Sequence, residues 1–169
     1  ETRSEVQTTA VGPGGRDLRI GVQAHGGERP ALQHDLERWI AEAPKVNSQH
    51  EDLASTYRRS LVDLAALRFS PLSLGGATLP AAGLPWFMTM FGRDSILTCL
   101  QTLPFTPALS KTTLRILASL QGTRFDDFRD EDPGRILHEM RYGETAAFEE
   151  QPHSPYYGSV DATPLFLIL

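Results

Sequence analysis

The sequence predicts an all-α fold laid out as a helical toroid, and three observations carry that expectation. Apolar residues recur at helical spacing from Pro30 onward, the helices pair off in sequence order, and the long loops between pairs collect aromatic rings, carboxylates and arginines. The 169 residues are 40% hydrophobic and 22% charged, with a net charge of −5. This length is a prior of about one domain, and the composition excludes a disordered, collagen-like or disulfide-scaffold chain.

Residues 1–28 hold one alternating stretch, Leu18-Arg19-Ile20-Gly21-Val22, between Gly12-Pro13-Gly14-Gly15 and Gly26-Gly27. It reads as one strand or hairpin arm flanked by turns. A lone strand does not stand by itself, so residues 1–28 are expected to be the tail of an upstream β-rich domain or a linker. Residues 29–169 are the helical part. Leu32, Leu36, Trp39 and Ile40 mark a first helix, with Pro30 suited to its first turn and Pro44 closing it. Ser48-Gln49-His50-Glu51 reads as a capping box ahead of Leu53, Tyr57, Leu61, Leu64 and Leu67, which predicts a helix over 49–68.

From Ser70 to Phe91 the period dissolves into Pro71, Gly75-Gly76, Pro80, Gly83 and Pro85, a long loop ending near Trp86-Phe87. A third helix is expected to open near Asp94 or Ser95 and stop at Pro104. A fourth has Thr106 as N-cap, Pro107 as first helical residue and Gly122 at C′, so that the two form a hairpin. Residues 122–158 are a second long loop, rich in aspartate. A last helix begins around Asp161 to Pro164 and runs into Leu165-Phe166-Leu167-Ile168-Leu169 with an uncapped, apolar first turn. That ending, and a start at Glu1 rather than Met, lead to the expectation of a piece of a longer chain.

Several functions are disfavoured. The acidic balance and the lack of a Lys/Arg cluster argue against nucleic acid as partner. The longest apolar run, Leu165 to Leu169, is far below the ~20 residues of a membrane span. Cys99 is the single cysteine, so no intrachain disulfide forms and a cytoplasmic location is expected. Cys99 lies in an apolar helical face and reads as packed and inert. His138-Glu139 begins a zinc-protease pattern, but Tyr142 stands where the second histidine belongs. The acidic run Asp126 to Asp132 lacks the spacing and glycine of a calcium loop and reads as a solvated loop. Gly12 to Gly15 matches neither a dinucleotide nor a phosphate loop. No metal and no organic cofactor is expected.

Three loop clusters remain: Gly83 to Ser95 around Trp86, Phe87, Arg93 and Asp94; Ile136 to Glu144 around Glu139 and Arg141; and Pro155 to Pro164 around Tyr157 and Asp161. Sugars call for this mixture, because pyranose C–H faces stack on aromatic rings and vicinal hydroxyls require convergent acceptors and donors. Each feature also has a plainer reading. Trp86 and Phe87 fit a core, Arg93-Asp94 a helix start, Glu139 and Arg141 a surface ion pair, and Asp161 an N-cap.

The segments Gly83-Leu-Pro-Trp-Phe through Phe-Gly-Arg-Asp-Ser95, Pro133-Gly-Arg-Ile-Leu-His-Glu through Gly-Glu144, and Tyr156-Tyr-Gly-Ser-Val-Asp-Ala-Thr-Pro-Leu-Phe166 resemble the catalytic region of bacterial glycogen-debranching, amylo-α-1,6-glucosidase-like proteins. The resemblance covers roughly residues 50–169. It implies an (α/α)₆ toroid of the six-hairpin glycosidase type, of which residues 29–169 supply about the first half. It implies a glycoside hydrolase acting on α-1,6-linked glucose of glycogen-type branched oligosaccharides, without cofactor or metal. In that family context Arg93 and Asp94 hold hydroxyls of the terminal glucose, Trp86 lines the same subsite, Glu139 and Arg141 extend the contacts, and Asp161 is the general acid, with a base beyond Leu169. Val160 stands where the eukaryotic debranching enzymes carry arginine. Two other outcomes stay open: a carbohydrate-binding helical domain without hydrolysis, and a chain inactive on its own.

Overall fold

A computed structural model describes residues 6–11, 17–22, 29–70, 77–142, 148 and 150–169. The segments Gly12–Gly15 and Gly26-Gly27, and with them Pro71, Gly75-Gly76, Gly143 and Glu144, lie outside the described residues. The chain divides into two compact units, residues 1–38 and 39–169. In the first, β1 (Val6–Val11) pairs antiparallel with β2 (Asp17–Val22), from Val6 opposite Val22 to Val11 opposite Asp17. Of the two expected forms, strand or hairpin arm, the structure shows the arm of a hairpin. The missed arm carries Val6, Thr8, Thr9 and Val11, β-branched residues that favour extended backbone. The helix α1 (Arg29–Glu42) follows, with Pro30 in its first turn.

In the second unit α2 (Glu51–Ala66) starts two residues later than expected. His50 is the N-cap, and its N–H donates to Ser48 Oγ at 3.0 Å, so Ser48 braces the approach rather than closing a capping box. Leu61 and Ala65 are buried while Leu53 stays exposed. The Tyr57 hydroxyl donates to the Pro44 carbonyl at 2.6 Å and its ring meets Phe105 at 5.6 Å, which ties the 43–50 connection to the next helix pair.

The expectation of an all-α, (α/α)₆ half-toroid does not hold. Five helices among the described residues are interleaved with three two-stranded antiparallel sheets. Only part of the expected helix pairing is present: α3 (Gly92–Thr102) packs on α4 (Pro107–Ser119), and α3 also packs on α5 (Ala162–Ile168). Parts of the segments expected to be irregular loops form ladders instead, and Arg68, from the end of the helix expected over 49–68, joins one of them. β3 (Arg68–Phe69) pairs with β4 (Leu79–Pro80), and β5 (Met90–Phe91) pairs with β6 (Glu139–Met140). Glu139 also bridges Tyr156, so a third stretch joins the second ladder. Backbone groups brought beside the core have to find partners, and in a loop without helical period the neighbouring extended segment supplies them.

Leu79, Met90, Ile96, Ile116, Leu117, Ile136 and Leu137 form the buried core between α3, α4, α5 and these ladders. Its few polar groups are satisfied: Ser95 Oγ donates to the Pro80 carbonyl at 2.7 Å, Cys99 Sγ lies 3.3 Å from Thr113 Oγ1, and Ser110 Oγ donates to the Cys99 carbonyl. Burial pushes the Cys99 thiol above its usual range, which suppresses the thiolate. The acidic stretch is not uniformly solvated. Asp126 and Glu131 exchange both backbone hydrogen bonds, and buried Glu131 accepts from the Thr123 N–H at 2.8 Å. Asp132-Pro133-Gly134-Arg135 closes as a type II turn, with Gly134 at φ +90 and the Arg135 N–H donating to the Asp132 carbonyl.

Two glycines permit close backbone approach. The C-cap of α4 is Leu120, so Gly122 is not the expected C′ residue; a Cβ there would lie 2.4 Å from the Asp132 carbonyl oxygen. At Gly92 a Cβ would lie 2.1 Å from the Leu137 carbonyl oxygen. Gly92→Ala is therefore expected to destabilise the fold by about 1–3 kcal/mol, the range of overpacking substitutions. Gly83→Ala has 4.0 Å of clearance and serves as the near-neutral control. Urea midpoints of the two variants test the difference.

Candidate functional site

The start of α3 places Arg93 and Asp94 in its first turn, after Phe91 as N-cap, so neither is a cap. Gly92 makes that start possible by lying against the 137–138 backbone, where its N–H donates to the His138 carbonyl at 2.8 Å. Arg93 Nη1 reaches Asp161 Oδ2 at 3.2 Å, and its Nε lies 3.8 Å from Asp94 Oδ2. Asp161 occupies the N-cap position of α5 but caps nothing with its side chain. Its Oδ1 accepts the Ser159 hydroxyl at 2.5 Å, while Ser159 Oγ accepts the Ala162 N–H. Ser159 and Arg93 hold the Asp161 carboxyl below its ordinary range, Ser159 contributing most. Asp94 Oδ2 is a buried acceptor without a hydrogen bond among the described residues.

A second group is built on the β5–β6 ladder itself. Glu139 is buried at 7% exposure, so the surface ion pair is not what forms. Its Oε2 accepts from Arg141 Nε at 2.9 Å and its Oε1 faces His153 Nδ1 at 2.6 Å. Arg141 Nη1 donates to the Trp86 carbonyl at 3.0 Å, and the guanidinium lies 5.5 Å from the Phe87 centroid and 5.0 Å from that of Phe91. Phe87 closes a turn against Gly83, and Trp86 at its tip is 79% exposed. His138 sits edge-on to both Phe91 and Tyr156.

The structure thus brings Arg93, Asp94 and Asp161 together, and separately Glu139, Arg141, Phe87 and the backbone of Trp86. Tyr157 joins neither group. Its ring is buried in the core and its hydroxyl donates to the Leu120 carbonyl at 2.8 Å, because the extended run 156–157 alternates and Tyr156 takes the other face. Tyr156 instead donates to Asp130 Oδ2 at 2.7 Å, a bond that raises its phenol pKa. Sequence reasoning missed Ser159, whose only signal is its spacing two residues before an aspartate, and His153, which has no local pattern. It also missed Phe91, hidden in the Trp86-to-Phe91 aromatic run. Among the described residues no group of three or more His, Cys, Asp and Glu is arranged to hold a metal ion. No helix among them is long and apolar enough to cross a membrane. A cleft of about 320 Å³ between α2 and residues 40–46 shares no residue with either group.

The Asp161 carboxyl is depressed in the folded chain, so its contribution to stability is full above the ordinary value of 3.8 and is lost as pH falls through the lower folded value. Ser159→Ala is expected to move the Asp161 titration back up toward 3.8, read by NMR of its side-chain carboxyl carbon. An unmoved midpoint would assign the shift to Arg93 and the backbone instead of Ser159.

No protein-family model matches this chain, and no curated protein does.

Proposed function

We propose that this chain recognises the terminal glucose of a branched α-glucan, as part of a glycoside hydrolase that removes α-1,6-linked glucose from glycogen-type oligosaccharides. The observation that carries the reading is the array at the start of α3. There a guanidinium, the Asp161 carboxylate and the Ser159 hydroxyl meet on a half-open surface, with Asp94 beside the guanidinium. Vicinal hydroxyls, each a donor and an acceptor, match such a set, and exposed Trp86 offers a face for pyranose C–H groups. The three motif segments that resemble amylo-α-1,6-glucosidase-like proteins support the same substrate class.

In this reading Asp161 delivers its proton to the glycosidic oxygen as the C–O bond breaks. A carboxylate base, assigned by the resemblance to sequence following Leu169, takes a proton from the attacking water. The free chain holds Asp161 ionised. Sugar hydroxyls that take over the Ser159 and Arg93 bonds and exclude water would remove what depresses the carboxyl and allow it to be protonated. The depressed carboxyl also favours a second reading, a carbohydrate-binding domain without hydrolysis, in which Asp161 remains an acceptor throughout.

Glucose release from branched limit dextrin by the parent protein, with the 169-residue chain run beside it, separates these readings. Asp161→Asn in the parent is expected to lower release about 10²–10⁴-fold, the usual worth of a general acid, while sugar binding stays measurable. Undiminished release would reject Asp161 as the acid. Saturable binding with no release by the parent would establish the binding domain instead.

A further inference from the structure

We propose that Arg141, held by Glu139 and His153, is a positioning residue that fixes the Trp86 turn, and is not itself a sugar contact. The proposal rests on Trp86 being the stacking surface of the site. One oxygen of the buried Glu139 carboxylate accepts from Arg141 Nε at 2.9 Å, and the other lies 2.6 Å from His153 Nδ1, a close contact without hydrogen-bond geometry. Arg141 in turn is engaged on three sides. Its Nε is on Glu139, its Nη1 is on the Trp86 carbonyl, and its plane lies over Phe87 and Phe91. Its backbone N–H donates to the His153 carbonyl at 2.6 Å, which fixes the strand from which it projects. A sugar hydroxyl approaching Arg141, or the Glu139 oxygen bonded to it, would have to break a charge-assisted bond in a partly buried setting, where such bonds are costly to lose.

The Trp86 turn needs an outside hold. Its base is tied by two bonds between Gly83 and Phe87, at 3.1 and 3.0 Å. Among the described residues, the bond from Arg141 is the one hydrogen bond to the three residues between them, Leu84, Pro85 and Trp86. The Trp86 ring has no ring contact or hydrogen bond of its own among those residues and is mostly in solvent. Orientation of the indole is therefore set by the backbone that carries it, and that backbone is set by Arg141. A lysine cannot substitute, because a single ammonium lacks the planar fork that reaches a carboxylate and a carbonyl at once while stacking on rings.

The test is a double-mutant cycle on the 169-residue chain with panose, a trisaccharide ending in α-1,6-linked glucose, as the probe. Trp86→Ala is expected to weaken binding about tenfold, the worth of one stacked ring. Arg141→Lys is expected to weaken it by a similar factor, and the double variant to be no weaker than Trp86→Ala alone. Losses that multiply would overturn the proposal and make Arg141 a direct contact. A second measurement does not depend on sugar. With Trp39→Phe the sole remaining tryptophan is Trp86, and Arg141→Lys is expected to speed the local component of its time-resolved fluorescence anisotropy while the thermal midpoint changes little. Unchanged anisotropy would overturn the brace. Absence of panose binding by the wild-type chain would reject the sugar reading, with the anisotropy still deciding the role of Arg141.

Discussion

The carboxylate of Glu139 is buried within the 39–169 unit, and the arrangement around it follows from having to satisfy that charge. An isolated carboxylate in such a place is strongly disfavoured, so it must be paired on every lone-pair side that water does not reach. Arg141 supplies a charge-assisted bond to one oxygen, and His153 lies in close contact with the other. Each then draws its own segment in: Arg141 brings the Trp86 turn, and His153 brings the stretch that leads to Tyr156, whose backbone closes the ladder beside Glu139. Replacing the group with apolar residues of similar volume could leave the fold equally stable, which argues that its value lies in orientation.

The Arg93–Asp161 pair is of a different kind. Both side chains are more than a third exposed, at 44% and 38%, and an exposed pair of this sort contributes about 0–1 kcal/mol. Stability therefore gives little reason to hold a guanidinium, two aspartates and a hydroxyl in one place. Asp94 Oδ2 adds to this, since a buried acceptor that makes no hydrogen bond among the described residues and has Arg93 Nε only at 3.8 Å is a cost the fold carries rather than a gain. The first group supports and the second is left open.

The helices were the most legible part of the sequence. α2 lies within two residues of its expected bounds, and Pro107 opens α4 after Thr106, because apolar periodicity and proline geometry are local signals. The fold class was not legible, since two-residue ladders such as Met90-Phe91 with Glu139-Met140 are too short to show alternation. Gly122 looked like a helix terminator, but its role is set by the Asp132 carbonyl ten residues later. Among candidate site residues, chemical type was readable and placement was not. Tyr156 and Tyr157 are neighbours of one type, yet one hydroxyl meets an aspartate at the surface and the other a core carbonyl. Nothing local marks His153 as the second partner of a buried glutamate.

Arg93 and Asp161 are 68 positions apart, and between them the chain builds α4, the aspartate-rich hairpin and the strand that lies against Gly92. The Ile136 N–H, which donates to Thr163 Oγ1, and the Tyr157 hydroxyl, which donates to Leu120, span 27 and 37 positions. Closing such separations costs chain entropy before any contact is gained, so the pairing belongs late in folding, after local helices have formed. The open site is therefore a product of the completed chain topology. It has no locally folded precursor, and any intermediate lacking α5 is without it altogether.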